Sequence, residues 1–388
     1  MNRALADLIK ISKTTGKDST LVAGGGGNTS VKTDDGKFMY IKASGTALKD
    51  MSAKRGWRRM RLEPVLSIIQ DKNLAKLDAS VREPEVVDRL LLACDDNVTS
   101  GARPSVESHL HACLDKCVIH LHPLVLAAYV SAKNGRAKLE KLFKGEKFPP
   151  LWVPYADPGF MLAKKIAGLV DKYQKQYGTK PAIMLLQKHG LFVTAGTADI
   201  ALRLVRKVIK TCKGNLKELK VGEIVQPNEQ DIENAEASIR YAMLEATGQV
   251  LPVRYIPTDS VISAFMRRKD AKKLLATPAL NPDELVYANG SAMWLENCDT
   301  KAISQKLKSL ISKGQKPAAA FVIKSLGLFI AANEKTSPVI AEITTGSLFV
   351  RMHAQKFGGI NPLSKRQQDF INNWEAEAFR KQQVSLTV

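Results

Sequence analysis

The sequence predicts an α/β fold, and two observations carry that expectation. Helix-like and strand-like segments alternate over residues 1 to about 213. A strand–turn–strand from that stretch then recurs near residue 320, beyond a polar break.

Taken in order, Leu5, Leu8 and Ile9 give a helical stripe at the start. Phe38 to Lys42 reads as a strand, entered through Gly36. Glu83-Pro84 predicts the opening of a helix running through Leu90 and Leu91, because proline in a first turn forfeits no hydrogen bond. Cys117 to His122 is a short β-branched run stopped by Pro123, which suits the first turn of the next helix. Ala182 to Gln187 predicts a second apolar strand, Lys188-His189-Gly190 a tight turn, and Leu191 to Thr194 the returning strand. Thr197 should cap a helix whose apolar face carries Ile200, Leu204, Val208 and Ile209.

The polar stretch from 214 to 230 reads as a linker between a first unit, 1–213, and a second, 231–388. The second partly repeats the first. Lys180-Pro181-Ala182 is answered by Lys316-Pro317-Ala318, and Lys188-His189-Gly190-Leu191-Phe192-Val193 by Lys324-Ser325-Leu326-Gly327-Leu328-Phe329-Ile330, with one residue inserted. The second copy has no histidine at its turn, so it reads as a degenerate half-repeat that kept the fold and lost a metal ligand.

Of the 388 residues, 45% are hydrophobic and 25% charged, ordinary for a soluble globular protein of one or two domains. No apolar run approaches the roughly 20 residues that span a bilayer, and residues 1–10 lack a signal-peptide core. Five cysteines, an odd number and mostly in apolar stretches, fit reduced thiols in the cytoplasm better than disulfides. The net charge of +20 admits a nucleic-acid partner or an anionic small substrate. The lysines are spread along the chain, and the densest cluster, Lys54-Arg55-Gly56-Trp57-Arg58-Arg59-Met60-Arg61, runs straight into an apolar segment. No nucleic-acid-binding signature accompanies them, so the small anion is the expectation.

Metal chemistry is indicated by His120-Leu121-His122. On a strand, residues two apart share a face, so both imidazoles converge. His189, at the end of another strand and before a glycine, supplies a third nitrogen, and three protein ligands with an open position is the catalytic zinc pattern. A lone HxH is more often a hydrogen-bonded pair; the third histidine, in a chain with only six, reverses that balance. Glu107, in Pro104-Ser105-Val106-Glu107, is either a first-turn glutamate favoured by the helix dipole or a base beside the metal. His109 and His111 cannot share a helical face, and both are expected to be structural or supporting. Gly24-Gly25-Gly26-Gly27-Asn28-Thr29-Ser30 and Ser44-Gly45-Thr46 are polar turns that can approach an anion. Neither a P-loop nor a dinucleotide fingerprint is present.

In register, these motifs resemble the class II aldolase/adducin family over residues 1 to 213: a glycine-rich turn ending in Asn-Thr-Ser, Ser-Gly-Thr, Pro-Ser-x-Glu, HxHP and a strand-end His-Gly. The fit is to sugar-phosphate aldolases acting on fuculose or rhamnulose 1-phosphate, and to the aldolase part of long aldolase–dehydrogenase proteins. The resemblance implies a three-layer α/β/α fold with a mostly antiparallel central sheet, and a homo-oligomer. It further implies a zinc, manganese or cobalt ion on His120, His122 and His189, with Glu107 as acid/base and additional ligand of the resting metal. Gly27, Asn28, Ser44, Gly45 and Ser105 take the substrate-phosphate positions. The implied reaction is retro-aldol cleavage of a ketose, or ketose 1-phosphate, through a metal-bound enediolate. A sugar-phosphate dehydratase or 4-epimerase, or a non-catalytic adducin-like interaction protein, are the alternatives. Val106 stands where short aldolases carry a second phosphate-binding serine, the stretch from Glu107 to His120 is shorter than theirs, and no tyrosine is assigned to protonate the leaving aldehyde.

Overall fold

A computed structural model describes residues 2–96, 102–219, 221 and 223–374. Among these, a seven-stranded sheet runs in the order β3-β2-β1-β4-β7-β6-β5. Its strands are β1 (Asn28–Lys32), β2 (Phe38–Lys42), β3 (Trp57–Arg61), β4 (Cys117–Leu121), β5 (Leu151–Val153), β6 (Ile183–Leu186) and β7 (Leu191–Ala195). The sheet is mixed, which corrects the mostly antiparallel expectation: β5 lies parallel to β6, while the other neighbours are antiparallel. The cause is the connection. An 18-residue helix, α7 (Phe160–Tyr177), carries the chain from β5 to β6, and parallel pairing requires such a crossover.

Helices cover both faces, as central strands buried at every position require. On one face α1 (Arg3–Gly16) packs Leu5, Leu8 and Ile11 onto Val31, Ile119 and Val193, beside α5 (Leu124–Val130), α6 (Gly135–Leu142) and α8 (Ala198–Lys213). On the other, α2 (Leu62–Gln70), α3 (Ala79–Leu92), α4 (Ser108–Ala112) and α7 cover Ile41, Met60, Val118 and Phe192. Two local expectations change. Helix α3 begins at Ala79 after Asp78, leaving Pro84 inside it, because Asp78 already accepts the first backbone bonds from Val81 and Arg82. Thr197 does cap α8, but the buried face is Ala201, Leu202, Val205, Val208 and Cys212, with Ile200 exposed.

Beyond α8, the described residues of 214–228 carry no helix or strand. A second sheet follows in the order β8-β11-β10-β9, from β8 (Val253–Ile256), β9 (Met293–Leu295), β10 (Ala320–Ile323) and β11 (Gly327–Ala331). Here β9 is parallel to β10, and β10–β11 and β11–β8 are antiparallel. That is the pairing of β5, β6, β7 and β4. Helices α9 (Glu229–Thr247) and α13 (Thr300–Ser312) cover one face. The other face takes α10 (Ser260–Met266), α11 (Ala271–Leu275) and α14 (Ser337–Lys356). Helices α12 (Pro282–Ala288) and α15 (Lys365–Asn373) lie in a further cluster with Ala23 and Tyr155 of the first half.

The halves are docked. Ala127 of α5 belongs to the core of the second half, and a Cβ on Gly346 of α14 would stand 2.7 Å from Leu124. Lys133 N–H donates to Gly359 O, Asn134 N–H to Phe357 O, and Asn361 N–H to Ser131 O. No described helix is long and apolar enough to cross a membrane.

Candidate metal centre

The site forms at one end of the first sheet, around the middle strands. Asn28 pairs directly with His120 across β1 and β4, and His120 with Phe192 across β4 and β7, where the two rings stack at 4.0 Å. His122 lies just past the end of β4, its N–H donating to Leu21 O. His189 sits in the β6–β7 turn, whose Lys188 adopts a left-handed φ of 58°, an uncommon conformation for a residue with a side chain.

Two glycines allow this closeness. A Cβ at Gly190 would come within 2.3 Å of Leu121 O and 2.8 Å of the His122 ring. At Gly27, with φ +60°, it would meet His120 O at 2.8 Å.

Strand β1 aims the carboxylate. Its alternate residues all engage the segment of α4, as a period of two dictates. Asn28 Nδ2 donates to Glu107 Oε2, Ser30 Oγ lies 2.8 Å from His111 Nδ1, and Lys32 Nζ donates to the carbonyls of His111, Leu114 and Asp115. Burial drops the Lys32 ammonium to about 8. Glu107 occupies the N-cap position of α4 rather than its first turn, and its side chain makes no cap bond. It turns instead to Asn28 and the histidines. Oε2 stands 3.6 Å from His120 Nε2 and Oε1 3.9 Å from His189 Nε2.

His120, His122 and His189 bring their nitrogens together, with Nε2 of His120 3.1 Å from that of His122 and 3.2 Å from that of His189. Tetrahedral zinc–nitrogen bonds put ligand nitrogens about 3.3 Å apart. The hydrogen-bond pattern makes the fit chemical as well as geometric. His120 Nδ1 faces Leu191 O at 3.0 Å, and His122 Nδ1 faces the Asp283 carboxylate. Both acceptors assign the ring proton to Nδ1. The Nε2 lone pairs of His120 and His122 are therefore directed at one another, an arrangement that repels unless a cation lies between them. Burial first, then the neighbouring His120, holds His189 near 3. Glu107 Oε1 and Asn28 Oδ1 are buried and have no hydrogen-bond partner among the described residues. The residues present fit a divalent metal.

All nine residues expected from the sequence line one pocket: Gly27, Asn28, Ser44, Gly45, Ser105, Glu107, His120, His122 and His189. Ser44 and Ser105 meet because residues 102–105 run beside the end of β2, with Ser44 N–H donating to Arg103 O and Ser105 N–H to Lys42 O. His109 and His111 are buried outside the pocket lining, His109 stacked on Phe160 and His111 edge-on to Phe192. Burial lowers His109 to about 4 and His111 well below its usual value.

Sequence reasoning missed Lys42, Asp283 and Trp374. Lys42 is buried and ties the two polar turns together, its Nζ donating to Gly25 O and Thr46 O. An ammonium at the end of a strand that leads into Ser-Gly-Thr was the available signal. Asp283 and Trp374 reach the site from the second half, which no local pattern marked.

The family described as the class II aldolase and adducin N-terminal domain matches residues 6–216. YuxG of Bacillus subtilis (strain 168), an uncharacterised oxidoreductase, is 28% identical over 333 residues, covering 80% of this chain and 45% of the relative. The chain thus spans less than half the length of that curated relative. Among solved structures, the N-terminal class II aldolase domain of a conserved protein from Thermoplasma acidophilum is 26% identical. It covers 55% of this chain and 94% of that one, with a TM-score of 0.45. An L-fuculose 1-phosphate aldolase from Glaciozyma antarctica PI12 is 13% identical, covering 58% and 77%, with a TM-score of 0.37.

Proposed function

This chain belongs to the class II aldolase and adducin N-terminal domain family, and from that membership we propose that it is a divalent-metal-dependent lyase that splits a ketose, foremost a ketose 1-phosphate, by retro-aldol cleavage. The observation that carries this reading is the set of three converging imidazoles beside a buried carboxylate oxygen that accepts no hydrogen bond from the described residues.

A zinc, manganese or cobalt ion on His120, His122 and His189 supplies Lewis-acid polarisation of the substrate's carbonyl and hydroxyl oxygens. The chain's residues do the rest. As the carbon–carbon bond breaks, the hydroxyl of the departing fragment gives up its proton and becomes the aldehyde carbonyl. The bond's electron pair stays on the fragment that keeps the original carbonyl, and that carbon must then gain a proton. The role we assign to Glu107 is to carry it: Oε2 is held by Asn28, while Oε1 is available to exchange a proton. Gly27, Asn28, Ser44, Gly45 and Ser105 are assigned to the anionic group of the substrate. The Lys42 ammonium between their turns supports a negative charge there, and the net charge of +20 favours its capture.

We assign 1–213 as the catalytic unit, 214–230 as its connector and 231–388 as a degenerate repeat. The shared strand-pairing order of β4–β7 and β8–β11 supports the last. A cytoplasmic homo-oligomer completes the reading; light scattering after size exclusion tests the subunit count.

The functional test is a screen of ketose 1-phosphates and free ketoses against protein loaded with zinc, manganese or cobalt, reading the aldehyde released. Metal-loaded protein that releases aldehyde from none of them overturns the lyase. Product analysis separates it from a dehydratase or 4-epimerase.

A further inference from the structure

The proposed function leaves the second half without a chemical role, yet three of its residues reach the pocket or its ligands: Pro282, Asp283 and Trp374. We propose that Asp283 is the positioning residue for His122, so that the metal centre is built by both halves of the chain. The inference rests on the metal-binding part of the function above.

The two histidines of the HxH pair are oriented by different means. His120 is held by a backbone carbonyl of the neighbouring strand, Leu191 O. His122 lies past the strand end, where no neighbouring carbonyl engages its Nδ1; its acceptor there is the Asp283 carboxylate, 161 residues away in sequence. An ionised carboxylate only accepts, so it fixes the ring proton on Nδ1, turns Nε2 toward the other imidazoles and raises the basicity with which it would hold a metal.

Asp283 is itself anchored. It sits in the first turn of α12, capped by Asn281, whose Oδ1 accepts from Glu284 N–H. The adjacent Glu284 accepts from Leu280 N–H, Ser347 Oγ and the fully buried Arg351. Ser347 and Arg351 belong to α14, which packs on α5, the helix that follows His122-Pro123. The path from His122 through α5, α14 and α12 to Asp283 closes on itself. A carboxylate fixed from both sides has little freedom to leave the imidazole.

The test uses the full chain, stripped with a chelator and titrated with cobalt read by its visible spectrum, and with zinc by competition against a chromophoric chelator. Wild type, Asp283→Ala, Asp283→Asn and His122→Ala are compared. Removing a carboxylate behind a ligating histidine weakens metal binding about 10- to 100-fold. Asp283→Ala should show that loss with an altered cobalt spectrum. Asp283→Asn, whose amide oxygen still accepts from Nδ1, should keep part of the affinity. His122→Ala should lose most. If Asp283→Ala bound cobalt with wild-type affinity and spectrum while His122→Ala did not, the role of Asp283 would be overturned. Should Asp283→Ala not fold by circular dichroism, Asp283→Asn decides alone, and wild-type affinity in it overturns the inference. Failure of the metal reading looks different: wild type would bind no cobalt, or His122→Ala would bind it unchanged.

Discussion

His120, His122 and His189 stand as a set, and the rings of His120 and His122 are each oriented through Nδ1. His120→Ala and His189→Ala should each lose the ion from protein purified without added metal, read by elemental analysis. Full occupancy in both would remove the centre. Glu107 differs, since it touches the cluster without being its anchor. Glu107→Gln keeps the side-chain shape and the acceptor for Asn28 but removes the basic oxygen. Metal should therefore stay bound while turnover falls about 10²- to 10⁴-fold. Exchange of the substrate fragment's proton with deuterated water should fall with it, and normal exchange in the metal-loaded variant would point to another base. The three histidines were legible because strand alternation and a strand-end glycine are local rules, whereas Glu107 was marked only through the family motif. Lys42 was not, because a buried lysine reads in sequence as a surface one until its carbonyl partners are in place.

At the scale of elements, the β6–β7 turn has to press against the end of β4. Gly190→Ala would drive a methyl into Leu121 O and the His122 ring. Overpacking of this kind costs about 1–3 kcal/mol. Urea unfolding should register that loss, and cobalt affinity should fall although every ligand remains; unchanged affinity would mean the turn is not what sets the spacing. Helix α12 depends on a buried pair, Glu284 with Arg351. Truncating one member of such a pair costs about 3–5 kcal/mol, because the other charge is left buried and alone. Arg351→Ala should lower stability by that amount in urea unfolding. A loss below 1 kcal/mol would show that α12 is held by packing alone. The start of α3 departs from the sequence expectation for a local reason: Pro84 suits a first turn, but Asp78 opens the helix and leaves the proline inside.

For the whole molecule, acid should destabilise the fold through its buried neutral histidines. Burial, then Lys356 and Arg268, lowers His353 to about 4, against an ordinary value near 6.5. A lowered histidine gives stability that is complete above pH 6.5 and is lost as pH falls toward 4, because the unfolded chain then binds the extra proton. The urea midpoint should drop over that window, and less steeply in His353→Leu, which also removes a buried nitrogen lacking a partner. An identical pH slope would exclude His353. The docked halves carry a second expectation. Residues 1–213 alone lack Asp283 and Trp374 and uncover the apolar surface of α5. They should aggregate or bind metal weakly, and a monodisperse fragment with full-length cobalt affinity would contradict this.

The sequence by itself determined the α/β class and the family, and it singled out the three histidines, Glu107 and the polar turns that line one pocket. These rest on short spacings and on the order of short motifs along the chain, and such patterns survive in one dimension. Only the tertiary structure decided the parallel β5–β6 edge, the true faces of α8, the cationic tie of Lys42 and the contribution of the second half to the pocket. The physical reason is common to all four. A hydrogen bond such as His122 to Asp283 joins residues 161 apart, and nothing local in either neighbourhood records the partner. The second half, whose turn lacks the histidine of the first, supplies in the folded chain the carboxylate that pairs with His122 of the first half.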